Sequence, residues 1–187
     1  MVTALLVMRL QTLGRLDIGE DISRFWHTPI RNPYAADCPI PLSSLLNHTS
    51  GIVDSPAYFS AFTSDAAVDD VLRDGACFAP REPSQRFQYS NFAAGLIGCL
   101  LESRFGLSLE VLMQTELFEP LGVTATFDAS KLTADASNSY RVLPGSHSPA
   151  FDAAKRAASA KPLDRADLQG HFLLASGNLY LTAKDLA

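Results

Sequence analysis

Basic runs, long apolar runs and paired cysteines are all missing from this chain. Its 187 residues carry 15 lysines and arginines against 20 aspartates and glutamates, a net charge of −5. Without a basic cluster the electrostatic footprint of a nucleic-acid binder is absent, so nucleic acid is not the expected partner. No stretch approaches the roughly 18 uninterrupted apolar residues of a membrane span. Cys38, Cys77 and Cys99 stand far apart, in neither a zinc spacing nor a CxxC, and read as buried or free thiols. His27, His48, His147 and His171 are scattered, with no metal-site spacing. There is no GxSxG elbow, no glycine-rich phosphate loop and no HExxH, which argues against the α/β-hydrolase, P-loop and zincin classes.

What is present is a globular composition, 47% hydrophobic and 19% charged, in a length that suits one domain or one and a part. Helix signals dominate and strand signals are few. Leu6, Leu10 and Leu13, with Val2 and Leu5 alongside, predict an apolar helix stripe stopped by Gly14. Ile18, Ile22, Phe25 and Trp26 read as anchors of a short segment. Pro41 suits the first turn of a short helix, "PLSSLLNH", ended by "TSG". Residues 64–74 read as a helix capped by Ser64, favoured by Asp65 at its positive end, and stopped by Gly75. The pair Asp69 and Asp70 reads as its solvated face.

Asn91 is a good N-cap for the next helix, in which Phe92, Leu96, Ile97, Leu100, Leu101 and Phe105 form one stripe before Gly106. Ser108 can cap "LEVLMQTELF", which is expected to stop before Pro120. Residues 123–170 are polar and rich in Ala and Ser, and are expected to form a long loop with short pieces of structure. "HFLLASGNLYL" has strand-like residues around a turn at Gly177 and Asn178. Thr182 to Asp185 is a capping-box start for a last helix.

Four stretches taken in order resemble the penicillin-recognising serine enzymes, a group of class C β-lactamases, D-alanyl-D-alanine peptidases and β-lactamase-like esterases. "PLSSLLNHTSGI" (41–52) resembles their LLxHTSGI segment and "PSQRFQYSNFAAGLIGCLLE" (83–102) their PGxxFxYSNxxxxLLGxIIE segment. "LFEPLGVTATF" (117–127) is similar to IFxPLGMxxTxF, and "ASGNLYLTAKDLA" (175–187) to ASGGLxSTAxDLA. Each motif alone is moderately specific; their order makes the resemblance hard to reach by chance.

The resemblance implies acyl transfer through a serine ester, with no cofactor and no metal. Serine is a weak nucleophile until a base takes its proton, so the family pairs it with a lysine one helical turn on, in SxxK. A tyrosine in YxN shares the proton traffic, because lysine and tyrosine each need the other's field or burial to act near neutrality. Tyr89-Ser90-Asn91 matches YxN. By that resemblance Tyr89 is the proton-transfer residue and Asn91 the substrate-orienting amide. Read locally, Tyr89 is a packed loop aromatic and Asn91 a plain cap. His48, Thr49 and Ser50 read as a structural turn.

The resemblance is broken in two respects. None of Lys131, Lys155, Lys161 and Lys184 has a serine three positions earlier. The helix "MVTALLVMRL" matches the one that follows SxxK in the family, with Met1 directly after the place of the lysine. A KTG-like strand is absent too. The expected fold class is therefore α-rich α+β, a single partial β-lactamase-like domain over 1–187. It would hold the helical lobe and adjoining segments of a β-lactamase/transpeptidase-like fold, with most of the antiparallel sheet missing. The expected function is that of a serine hydrolase on a small-molecule or peptide substrate, inactive in this chain alone. The alternative is a non-catalytic binding or regulatory protein that keeps the lobe and self-associates through the apolar surface the sheet would cover. Compartment stays open among periplasm, exterior and cytoplasm, because any signal peptide would precede Met1.

Overall fold

The computed structural model describes every residue except 65, 133–135, 144–145, 152, 169 and 187, and omits the side chains of 139, 141–143, 146–151 and 153–154. Asp65 and the side chain of His147 thus lie outside the described residues.

Helix α1 (Val2–Thr12) ends as expected, with Gly14 in the left-handed region at φ 67°. Its buried face is Thr3, Leu6, Val7 and Leu10, however, while Leu5 and Leu13 are exposed. The stripe is rotated from the one the leucines alone predict, because Val7 rather than Leu13 completes the i, i+3, i+4 set with Leu6 and Leu10. Pro41 is the cap of α2 (Leu42–Leu46) rather than its first residue. Next come α3 (Pro56–Ser60), capped by Ser55, and α4 (Val68–Arg73). α4 starts later than the 64–74 expectation. Ser64 is not its cap but donates its hydroxyl back to Ser60 O, and Ala67 holds the cap position. Asp69 is not merely solvated either. Its carboxylate accepts from Trp26 Nε1 at 2.8 Å and meets His27 Nε2 at 2.7 Å; Asp70 is the surface partner of Arg73.

The centre of the molecule is α5 (Asn91–Phe105), which ends on Gly106 at φ 66°. Its cap is Ser90, not Asn91: Ser90 Oγ accepts from Ala93 N at 3.0 Å, and Asn91 is the first helical residue. Every residue from Ala93 to Glu102 except Ala94 is buried, so a single stripe gives way to burial all round. The reason is that α5 touches α2, the 3₁₀ turn Ile22–Phe25, α6 (Leu109–Met113) and the 3₁₀ turn His171–Leu173. Phe92, Leu96 and Leu100 join Leu6, Leu10, Ile22 and Leu45 in one core.

After α6 the helical run does not stop before Pro120. It passes through a π turn (Gln114–Phe118) into α7 (Glu119–Leu121), which ends at left-handed Gly122. A widened turn tolerates the absence of the N–H that proline lacks. Residues 123–170 hold more regular structure than expected: β1 (Ala125–Thr126), the antiparallel hairpin β2 (Ser139–Leu143) and β3 (Ser146–Phe151), and α8 (Ala153–Ser159). "HFLLASGNLYL" opens with a 3₁₀ turn (His171–Leu173) and runs on through further turn, and only β4 (Tyr180–Leu181) is strand, antiparallel to β1. Neither Gly177 nor Asn178 has positive φ; Asn178 instead donates its amide to Leu173 O at 2.6 Å. At the start of α9 (Ala183–Leu186) Thr182 Oγ1 accepts from Asp185 N at 3.0 Å, which is the first half of the expected capping box, and donates to Asp185 Oδ2 at 2.8 Å in place of the second half. Buried Glu110 ties β1 to α6: it accepts from Thr126 Oγ1, Phe127 N and Lys131 Nζ, which commits that lysine to structure. Among the described residues, no helix is long and apolar enough to cross a membrane. The cysteines are free, and burial pushes the Cys77 thiol up to about 12.

Candidate active site

The stretch from Ser84 to Ser90 has little regular structure of its own and is held by the turn after α2. His48 O accepts from Gln88 N at 2.7 Å and Thr49 O from Ser84 N at 2.8 Å. That turn is tight. Its Thr49 and Ser50 amides both donate to Ser44 O, Asn47 Oδ1 accepts from Thr49, and Gly51 has φ 79°. His48 itself is left-handed at φ 58°, an uncommon state for a residue with a Cβ that its neighbours must hold in place. His48, Thr49 and Ser50 are thus the turn the sequence leads one to expect.

On this support Tyr89 stands at the surface, 58% exposed, with its ring 4.5 Å from that of His48 and tilted against it. Tyr89 Oη donates to Asn91 Oδ1 at 3.2 Å. The two residues singled out by YxN face the same point, across the start of α5. Asn91 Nδ2 in turn donates to Asp54 Oδ2 at 3.0 Å.

Asp54 was not picked out from the sequence. It lies just ahead of the Ser55 cap of α3, and its Oδ1 accepts from Ser90 Oγ and from Phe92 N, each at 2.9 Å. It thereby satisfies a free N–H of the first turn of α5 and faces that helix's positive end. Burial raises the pKa of a carboxyl, but the bonds from Phe92, Asn91 and Ser90 outweigh it and hold Asp54 below the usual carboxylate range. Burial lowers the pKa of His48; the Asp54 charge only partly opposes this, and the nearby N-terminal ammonium of Met1 adds to it. A neutral imidazole is what the geometry asks for, since His48 Nδ1 lies 3.4 Å from the Ser90 N–H as its acceptor.

The arrangement can hold a phenol and a carboxamide on one exposed rim, with an anion behind them. It can pass a proton at Tyr89 Oη and orient a polar group at Asn91. It offers no nucleophile: Ser90 is fully buried and committed to Asp54 and Ala93. Among the described residues, no cluster of His, Cys, Asp and Glu is arranged to hold a metal ion.

The sequence model of the family described as Beta-lactamase matches residues 1–187. Penicillin-binding protein 4* of Bacillus subtilis (strain 168) is 28% identical over 130 residues, which make up 66% of this chain and 28% of that protein. The octameric penicillin-binding protein homologue from Pyrococcus abyssi superposes with a TM-score of 0.72 at 24% identity, over 99% of this chain and 41% of its own. A D-stereospecific amidohydrolase from Streptomyces sp. does so with a TM-score of 0.65 at 20% identity, over 99% of this chain and 55% of its own. This chain spans well under two thirds of the length of each of these relatives. The structural likeness shows a β-lactamase/transpeptidase-like fold, and with the family match running from end to end, the chain belongs to the Beta-lactamase family.

Proposed function

We propose that this chain carries the tyrosine–asparagine half of an acyl-serine hydrolase acting on an amide or ester. Tyr89 is the proton relay, and Asn91 is the carboxamide that orients the substrate. The observation that carries the reading is the 3.2 Å meeting of Tyr89 Oη and Asn91 Oδ1 on an exposed rim, with Asp54 and Ser90 fixed behind it. Family membership supports the acyl-serine chemistry. The family pattern sets SxxK directly ahead of the helix that α1 matches. On this reading the serine and lysine of SxxK and a KTG-like strand complete the site from outside these 187 residues. The names of two relatives, a penicillin-binding protein and a D-stereospecific amidohydrolase, favour an amide such as a β-lactam or D-Ala-D-Ala peptide over an ester.

A nucleophile that works as part of a unit accounts for on the order of 10⁶ in turnover. The 187 residues alone are therefore expected to show no saturable hydrolysis of nitrocefin or of p-nitrophenyl esters. Protein made from the reading frame extended at both ends is expected to hydrolyse one of them, and Tyr89→Phe to lower its kcat/KM about a hundredfold. Saturable turnover by the short chain, abolished by Tyr89→Phe, overturns the dependence on outside residues. An extended protein indifferent to Tyr89→Phe overturns the relay.

A second reading, a non-catalytic binding protein, draws on α1. Met1, Leu5 and Met8 are 84%, 53% and 47% exposed and recur on one face. On this reading the chain dimerises through that face, and sedimentation at micromolar concentration shows a dimer that Leu5→Glu/Met8→Glu dissociates. A monomer at all concentrations counts against it.

A further inference from the structure

We propose that Asp54 is a positioning residue: it fixes which way the Asn91 carboxamide faces, and so commits the amide oxygen rather than the nitrogen to Tyr89. The proposal takes its significance from the acyl-serine reading above, but its geometry stands apart from it. A carboxylate can only accept hydrogen bonds. Asp54 Oδ1 is occupied by Ser90 Oγ and Phe92 N, and Oδ2 faces the Asn91 side chain at 3.0 Å. Were that amide turned over, two acceptor oxygens would face each other at hydrogen-bonding distance, and each would lose its partner in a half-buried place. The nitrogen and oxygen of an amide are nearly the same shape, so it is the chemistry of the partner that decides between them. Turned by Asp54, Asn91 meets the Tyr89 hydroxyl as an acceptor, and the phenol is held as the donor.

One carboxylate thus does two things at once. It caps the first turn of α5 at Phe92 N, and it sets the polarity of the pair on the rim. The cap alone would require neither the Asn91 contact nor any particular amide direction. The lowered pKa of Asp54 agrees with a group kept ionised for both.

The test is a double-mutant cycle in the 187-residue chain, read by urea unfolding, together with the ¹⁵N side-chain resonances of Asn91. In Asp54→Asn, an oxygen kept on Ser90 and Phe92 leaves an amide nitrogen facing Asn91, which must turn over, present its own nitrogen to the Tyr89 hydroxyl and lose its charge-assisted bond to a carboxylate. The folding equilibrium constant is expected to fall about tenfold. Asn91→Asp alone opposes two carboxylates and is expected to cost at least as much. Asp54→Asn/Asn91→Asp exchanges donor and acceptor, and stability should return to within about threefold of the original chain. The sign of Asn91→Asp therefore reverses, from destabilising beside Asp54 to stabilising in the Asp54→Asn background. The Asn91 amide resonances of Asp54→Asn are displaced at pH 7. If Asp54→Asn alone does not fold, a folded double variant is the same rescue. A cap that ignores Asn91 gives the opposite result: Asn91→Asp has the same effect in both backgrounds and the resonances stay put, which overturns the proposal. No substrate enters the measurement, so it can fail while the acyl-serine reading survives its turnover assay, or the reverse.

Discussion

Gly95→Ala is expected to destabilise the chain by about 3 kcal/mol, although alanine is the better helix former by roughly 1 kcal/mol. Gly95 lies in the second turn of α5, where the backbone of the turn His171–Leu173 crosses it. A Cβ built there falls 1.8 Å from Phe172 O and 3.0 Å from its carbonyl carbon. The obstacle is backbone, so no rotamer change relieves it. Either α5 or the 3₁₀ turn must retreat by about 1.5 Å to reach ordinary contact. Retreat would unseat Phe172, which is fully buried against Phe92 and Tyr58. Gly75→Ala is the control. Nothing lies within 4 Å of the Cβ it adds, and its effect should stay within about 0.5 kcal/mol. Urea midpoints of the two variants decide the matter. A Gly95→Ala chain as stable as the original would mean that the 3₁₀ turn does not sit on α5 as closely as described.

The sequence and the structure part company along this same helix, and the reason is distance along the chain. Local chemistry was legible. The left-handed Gly106 and Gly14, the Ser108 cap and the Thr182–Asp185 box are all settled by residues within one turn of one another. Tyr89 and Asn91 were legible as a pair because YxN is a contiguous pattern. Asp54 was not. Its partners lie 36 to 38 residues away, and a single acid before Ser-Pro carries no mark of them. Gly95 reads as a tolerated helix glycine until the distant segment around Phe172 is laid across it. Asp69 looked solvated because a helix surface in sequence does not show that Trp26 will bring an indole N–H to it. The stripe expected on α5 is buried but is not its only buried face, and that on α1 is rotated, for a related reason. Periodicity reports one packed face, whereas α5 is packed on several sides and α1 is turned by its neighbours.

Glu102 is the strongest instance of a residue whose role only the fold shows, and it carries the last expected result. It sits in "CLLESRF", where a glutamate on a helix would ordinarily face water, yet it is fully buried. Its Oε1 accepts from Leu109 N and meets His171 Nδ1, both at 2.7 Å, and its Oε2 accepts from Asp167 N at 3.3 Å. One carboxylate thus joins α5 to the start of α6 and to the turn that Gly95 admits. Glu102→Ala would leave a buried N–H and an imidazole without their acceptor, and is expected to cost about 3–5 kcal/mol. Burial disfavours a charge on His171, but the bond to Glu102 and its charge, with Asp167 beyond, prevail and raise its pKa above the ordinary 6.5. A raised folded-state pKa stabilises the fold fully below about pH 6.5, where both states are protonated, and that contribution fades as pH rises through the folded value. Unfolding measured from pH 6 upward should therefore show the original chain losing stability through that window. Glu102→Gln keeps the shape and removes the charge. It should be less stable at pH 6 and show a flatter profile above it. A profile as steep as that of the original chain would assign the slope to some other group. Gly95→Ala, which pushes the same turn away, should flatten it too, so the two variants report on a single contact from opposite sides.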